Sequence, residues 1–178
     1  MISKPRLTLK TRLARVELFL CDVDGILTDA TVSMNHEGEY KRFCVKDGLG
    51  IKLLRQEGIR VGWISGRSSP ATEQRAKELK VDFLYQSGGS KVQAAEEILR
   101  QTGLNWNQVC FMGDDLLDLG LLRRVGLAVA VPEALREVKE MAHYVTRTSG
   151  GYGAVREVID MILKSQKKWN ALVQRYSE

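Results

Sequence analysis

The chain has 178 residues, 44% hydrophobic and 28% charged, which suffices for one domain with a substantial core. Its 27 basic and 22 acidic residues leave a net charge of +5; that mild excess suits an anionic small molecule, and no dense basic stripe interleaved with aromatics speaks for nucleic acid. No stretch reaches the ~18 uncharged residues of a membrane span, and Cys21, Cys44 and Cys110 offer neither a zinc motif nor a disulfide framework.

The first fifteen residues carry Lys4, Arg6, Lys10, Arg12 and Arg15 without an acid. No apolar stretch of signal-peptide length follows, so 1–15 reads as a basic, mobile arm on a cytoplasmic protein. A single domain is expected over 16–178. "VELFLC" (16–21) is a short β-prone run that ends in Asp22, Val23 and Asp24. After Asp29, "ATVSM" and "EYKRF" flank "NHEG", which predicts a hairpin flap over about 30–44. Asp47 is placed to cap a helix through "GLGIKLLRQEG", stopped by Gly58. "IRVGWIS" (59–65) is a second strand, and Ser69-Pro70 opens the next helix.

The pattern then repeats. "VDFLYQ" (81–86) is strand-like, Ser90 and Gln93 resemble a capping box, and "QVCFMG" (108–113) and "GLAVAV" (126–131) are further buried strands, with "HYVT" (143–146) a weaker sixth. Helices are expected at 115–124, 133–141 and 153–169, with Trp169, Leu172, Val173 and Tyr176 reading as packing positions on a C-terminal helix and tail (about 153–178). The alternation predicts an α/β fold: a Rossmann-like parallel sheet with helices on both faces and no large cap domain.

In such a sheet, ligands bind at the carboxyl ends of the strands. The residues that follow the strands are Asp22 and Asp24; then Ser65, Gly66 and Arg67; then "SGGSK" with Lys91; then Gly113, Asp114, Asp115 and, one turn on, Asp118. Gathered carboxylates need a cation to offset their repulsion. Oxygen ligands without nearby His or Cys suit Mg²⁺. A carboxylate is a nucleophile toward phosphorus, and a hydroxyl and an ammonium offset charge on a transferring phosphoryl group. Each piece alone is weak, since a lone DxD is usually a solvated turn and acids at a helix start answer its dipole. In order, each at a strand end, they point to phosphate chemistry.

"DVDGILTD", "ISGR", Lys91 and "GDDLLD" resemble the four ordered motifs of the haloacid dehalogenase-like phosphatases, over about residues 16–160. "FCVKDGLGIKLL", "LYQSGGSK", "AHYVT" and "GGYGAVREV" resemble the capless branch that includes 3-deoxy-D-manno-octulosonate 8-phosphate phosphatase. That resemblance implies Asp22 as nucleophile, Asp24 as general acid and base, Ser65 and Lys91 at the phosphoryl group, and Mg²⁺ held by Asp22, the Asp24 carbonyl and Asp114. Asp118, and less clearly Asp115, stand just outside the metal's own ligands. It further implies a small phosphorylated sugar-acid substrate from lipopolysaccharide precursor synthesis, with Arg67, Lys46 and Gly66 as candidate substrate contacts, and a homotetramer. Other readings stay open: a phosphatase for a nine-carbon 2-keto sugar acid phosphate, a non-enzymatic phosphoacceptor module, or a regulatory domain on the same fold.

Overall fold

Four consecutive apolar residues, Leu18–Cys21, form β1, and every one is buried, as a strand covered on both faces requires. The computed structural model describes residues 7–36, 38–86 and 88–178. Around β1 run β4 (Arg60–Ser65), β5 (Phe83–Gln86), β6 (Val109–Met112), β7 (Leu127–Ala130) and β8 (Tyr144–Val145). The sheet order is β5-β4-β1-β6-β7-β8, with every neighbouring pair parallel. This is the doubly wound order in which the chain proceeds outward from the first strand in one direction and then in the other. The reversal falls between β1 and β6, so a crevice opens there at the carboxyl edge. The predicted sheet is present; β4 is buried apart from the exposed Arg60 at its start, and the edge strands β5 and β8 are half-buried along their length.

Helices α2 (Val45–Gln56), α3 (Pro70–Leu79), α4 (Lys91–Thr102), α5 (Leu119–Leu122), α6 (Arg136–Met141) and α7 (Ala154–Ser165) link and cover the strands. α2 packs with α3 and α7, while α5 packs with both α4 and α6, as right-handed crossovers in two directions require. Phe19, Trp63 and Phe111 are fully buried between these layers. Ser69 caps α3 through the Thr72 N–H with Pro70 in its first turn, as expected. Ser90 caps α4 through the Gln93 N–H.

Four local expectations differ from the structure. Residues 9–14 of the presumed arm form α1 (Leu9–Ala14), capped by Thr8 and packed on α7. Leu9, Leu13 and Val16 recur at helical spacing, a signal obscured by the basic residues around them; Lys4 and Arg6 lie outside the described residues. The 115–124 helix is a 3-10 turn (Leu116–Asp118) running into the short α5. The 153–169 helix is α7 alone, because Lys167 takes a left-handed backbone (φ +61°) before α8 (Trp169–Arg175) begins. The flap, by contrast, is present as expected, as a two-stranded antiparallel sheet of its own, β2 (Ser33–Asn35) and β3 (Gly38–Tyr40).

The fourth difference concerns Asp47. α2 starts two residues before it, with Cys44 at the N-cap. Asp47 is instead buried and accepts the Arg156 N–H at 2.7 Å, so it caps α7 from across the fold. Burial raises its pKa to about 6 despite that bond. Asp47→Ala is expected to cost about 1–2 kcal/mol, the worth of an N-cap, read as a Tm lower by roughly 2–8 °C. An unchanged Tm would dismiss this cross-chain cap.

Candidate active site

Asp22 and Asp114 follow β1 and β6, on either side of the reversal in strand order. The Asp22 N–H still donates to the Met112 carbonyl at 2.9 Å, so the sheet ladder carries the nucleophile candidate to its edge. Asp22 is only 8% exposed. Gly25, three residues on, has φ +87°, and a Cβ there would collide with the Asp114 carboxylate. Glycine lets the two acidic loops close on one another. A Cβ at Gly150 would collide in turn with the Gly25 carbonyl, and the Gly151 N–H donates to the Ile26 carbonyl at 2.9 Å. The "SGGYGA" stretch (149–154), which leads into α7, therefore also braces the nucleophile loop.

The charges interlock. Lys91 opens α4 and sends its ammonium 2.9 Å from Asp22 Oδ2 and 2.7 Å from Asp118 Oδ1. Asp118 is wholly buried, and its Oδ2 accepts the N–H groups of Asp114 (2.9 Å) and Asp115 (3.2 Å). Both of its oxygens are thus engaged in holding the loop and the lysine. Asp115 accepts the Leu116 N–H and caps the 3-10 turn. Ser65 is 3% exposed, and its hydroxyl donates to the Arg67 carbonyl at 3.0 Å. A cavity of about 380 Å³ brings Asp22, Asp24, Ser65, Gly66, Arg67, Lys91, Asp114 and Asp115 together, with Ala30 and Leu117.

Among the described residues, Asp114 Oδ1 is buried without a hydrogen-bond partner. Carboxylate oxygens of Asp22, Asp114 and Asp118 lie within 4.8 Å of one another. Burial, then the charges of Asp22 and Asp118, push the Asp114 pKa up to about 7. Burial and Asp118 likewise raise Asp22, against the pull of Lys91. Burial opposes the Lys91 ammonium, but Asp118 and Asp22 more than offset it and raise its pKa. An orphaned carboxylate oxygen beside a second raised carboxyl, with only oxygen donors at hand, fits a hard divalent cation such as Mg²⁺.

A pH dependence follows. Carboxyls whose folded pKa is raised bind protons more readily in the folded state than in the unfolded one. Their contribution to stability is therefore full below the unfolded pKa of about 4 and is lost as pH rises through about 6 to 7. Protons and metal compete for the same oxygens. We expect saturating Mg²⁺ to raise Tm more at pH 8 than at pH 5.5, by differential scanning fluorimetry. Equal gains at both pH values would contradict the assignment.

The substrate candidates fare unequally. Gly66 and Arg67 line the cavity, with Arg67 Nη1 2.7 Å from Glu39 Oε2 and Nε 3.7 Å from Asp24 Oδ2. Lys46 is exposed in the first turn of α2 and is not among the cavity's lining residues. Sequence reasoning missed Lys41 and Glu39 of the flap. Lys41 Nζ lies 2.7 Å from Asp24 Oδ1, and Glu39 accepts from the Ser69 hydroxyl as well as from Arg67. Their alternation in a short hairpin, which puts both on one face, was the available signal.

The haloacid dehalogenase-like hydrolase family model matches residues 83–159. The 3-deoxy-D-manno-octulosonate 8-phosphate phosphatase KdsC of Yersinia pestis is 44% identical over 158 residues, 88% of this chain and 84% of that protein. Its counterpart from Escherichia coli K12 is 40% identical over 154 residues, 86% and 82% of the two chains. The solved 3-deoxy-D-manno-octulosonate 8-phosphate phosphatase of Moraxella catarrhalis, in complex with magnesium, phosphate and KDO, superposes with a TM-score of 0.91 at 38% identity, covering 94% of this chain and 97% of that one. The chain belongs to the haloacid dehalogenase-like phosphatases, in the same family as the 3-deoxy-D-manno-octulosonate 8-phosphate phosphatases that it matches over most of their length.

Proposed function

We propose that the chain hydrolyses 3-deoxy-D-manno-octulosonate 8-phosphate, with Mg²⁺, as a step in making lipopolysaccharide precursor. The observation that carries the reading is the single cavity in which Asp22, Asp24, Ser65, Lys91 and Asp114 meet, in a chain 40–44% identical to named phosphatases of that compound.

The roles are those that the resemblance implies, and the placement of these residues in one cavity supports them. Asp22 attacks phosphorus and forms an aspartyl phosphate, while Asp24 gives its proton to the departing sugar oxygen. Asp24 then takes a proton from water, whose oxygen attacks the phosphoryl group, and inorganic phosphate leaves with Asp22 regenerated. Lys91 keeps Asp22 ionised and in place, and Ser65 turns its hydroxyl to a phosphoryl oxygen. Asp22, Asp114 and the Asp24 main-chain carbonyl would hold Mg²⁺, which would supply positive charge against the phosphoryl oxygens. Asp118 orients Lys91 and the Asp114 loop, and Arg67 meets the substrate's carboxylate or hydroxyls. Lys46, exposed on α2, reaches substrate only from a neighbouring subunit in this reading.

The flap supports an oligomer. Met34 is 76% and Tyr40 49% exposed, and a two-stranded sheet has edges that invite pairing. We read the working form as a cytoplasmic homotetramer whose subunits cover one another's flaps. The test is phosphate release, with and without EDTA, from the eight-carbon sugar acid phosphate, a nine-carbon 2-keto analogue and simple sugar phosphates. Strong preference for the eight-carbon compound supports the reading, preference for the nine-carbon compound replaces it, and uniformly slow release removes the substrate assignment. A fully active monomer by light scattering would refute the tetramer.

A further inference from the structure

Lys41 ends the flap with its side chain wholly shielded from solvent and its ammonium 2.7 Å from Asp24 Oδ1. A shielded ammonium is costly unless paired, and its partner is the carboxyl that the mechanism above uses twice. Glu39, the next acid, stands 3.9 Å from Lys41 and is already engaged by Ser69 and Arg67. Among the described residues, Lys41 gives the Asp24 carboxyl its one short side-chain bond, since Arg67 stands off at 3.7 Å.

Asp24 needs such a partner. Its side chain is 27% exposed and sits on a loop, directly before the left-handed Gly25. An unheld carboxyl there rotates between staggered positions, and only some of them face the leaving oxygen. The other end of the tether is fixed. Arg42 binds Asp29 at 2.6 Å and the Tyr152 hydroxyl at 2.7 Å, which pins the flap to the loop that braces the nucleophile.

We propose that Lys41 is a positioning residue: by holding Asp24 Oδ1 it aims the proton-transferring carboxyl at the leaving oxygen, so the flap sets the geometry of proton transfer. The inference rests on the reading of Asp24 as acid and base.

The test compares kcat/KM for 3-deoxy-D-manno-octulosonate 8-phosphate with that for p-nitrophenyl phosphate, in wild type, Lys41→Met, Asp24→Asn and the double variant. This parameter reports only steps up to release of the alcohol, and p-nitrophenolate leaves without help from an acid. Asp24→Asn should lose about 10²–10⁴-fold on the sugar phosphate, the usual worth of a general acid. Lys41→Met should lose about 10–100-fold there, as misplacement of a reacting group does, with p-nitrophenyl phosphate changed less than about threefold. The double variant should match Asp24→Asn, because a residue that acts only through Asp24 has nothing left to do. Retained p-nitrophenyl phosphatase activity also reports a folded site. Equal losses by Lys41→Met on both substrates, or additive losses in the double variant, overturn the proposal alone. Equal losses by Asp24→Asn on both substrates remove the acid reading and the proposal with it.

Discussion

Asp22→Asn should abolish turnover, by about 10⁴-fold or more, the scale seen when a covalent nucleophile is removed. Asparagine keeps the shape and can still accept the Val23 N–H that Asp22 Oδ1 accepts at 2.7 Å, but its amide cannot carry a phosphoryl group. Fold and function should separate in this variant. Burial and Asp118 already disfavour the Asp22 charge, so its removal eases the crowding around Asp114, and Tm without metal should hold or rise. Acid-quenched samples with radiolabelled substrate should trap phosphoprotein in the wild type and none in the variant. Activity above a tenth of wild type would reject Asp22 as nucleophile.

Lys91→Met should do the opposite and damage both. The lysine lies between Asp22 and Asp118, and removing one partner of a buried ion pair costs about 3–5 kcal/mol. Methionine fills the volume and leaves three carboxyls facing one another. The raised pKa values of Asp22 and Asp114, which the Lys91 charge holds down, then rise further, so the variant gains protons on folding over a wider span. Its deficit should be smallest near pH 5, where the acids are neutralised, and grow toward pH 8. Saturating Mg²⁺ should recover part of it at pH 8. Turnover should fall about 10²–10³-fold, in line with loss of one group facing developing charge. Urea denaturation at pH 5.5 and 8 checks the first part, and an equal deficit at both would contradict it.

Much of this fold was legible because buried parallel strands announce themselves. "LFLC", "VCFM" and "LAVA" are unbroken apolar runs, and all twelve of their residues are buried. The residues after each run then had to share one edge, and Asp22, Ser65, Lys91 and Asp114 do meet there. What sequence could not show was contact across distance. Nothing local to Asp47 says that it caps a helix beginning at Ala154. Nothing near Lys41 says that its partner is Asp24, because a hairpin's lean over the sheet is set by packing rather than by its own pattern. Nothing around Gly150 in the sequence says that it lies against the Gly25 carbonyl, and only the fold reveals the backbone it must touch.

That last contact bears on how the protein is made. The acids of the first loop leave the ribosome more than a hundred residues before Gly150 and Gly151, the glycines that seat that loop. β1 likewise lies between β4 and β6 and has neither neighbour when it emerges. A nascent chain stopped short of Gly150 would already contain every residue proposed for chemistry, yet the nucleophile turn would have nothing behind it. Competence for hydrolysis is thus expected to arrive all at once, when Gly150 and Gly151 have emerged and seated the loop, rather than to grow with chain length.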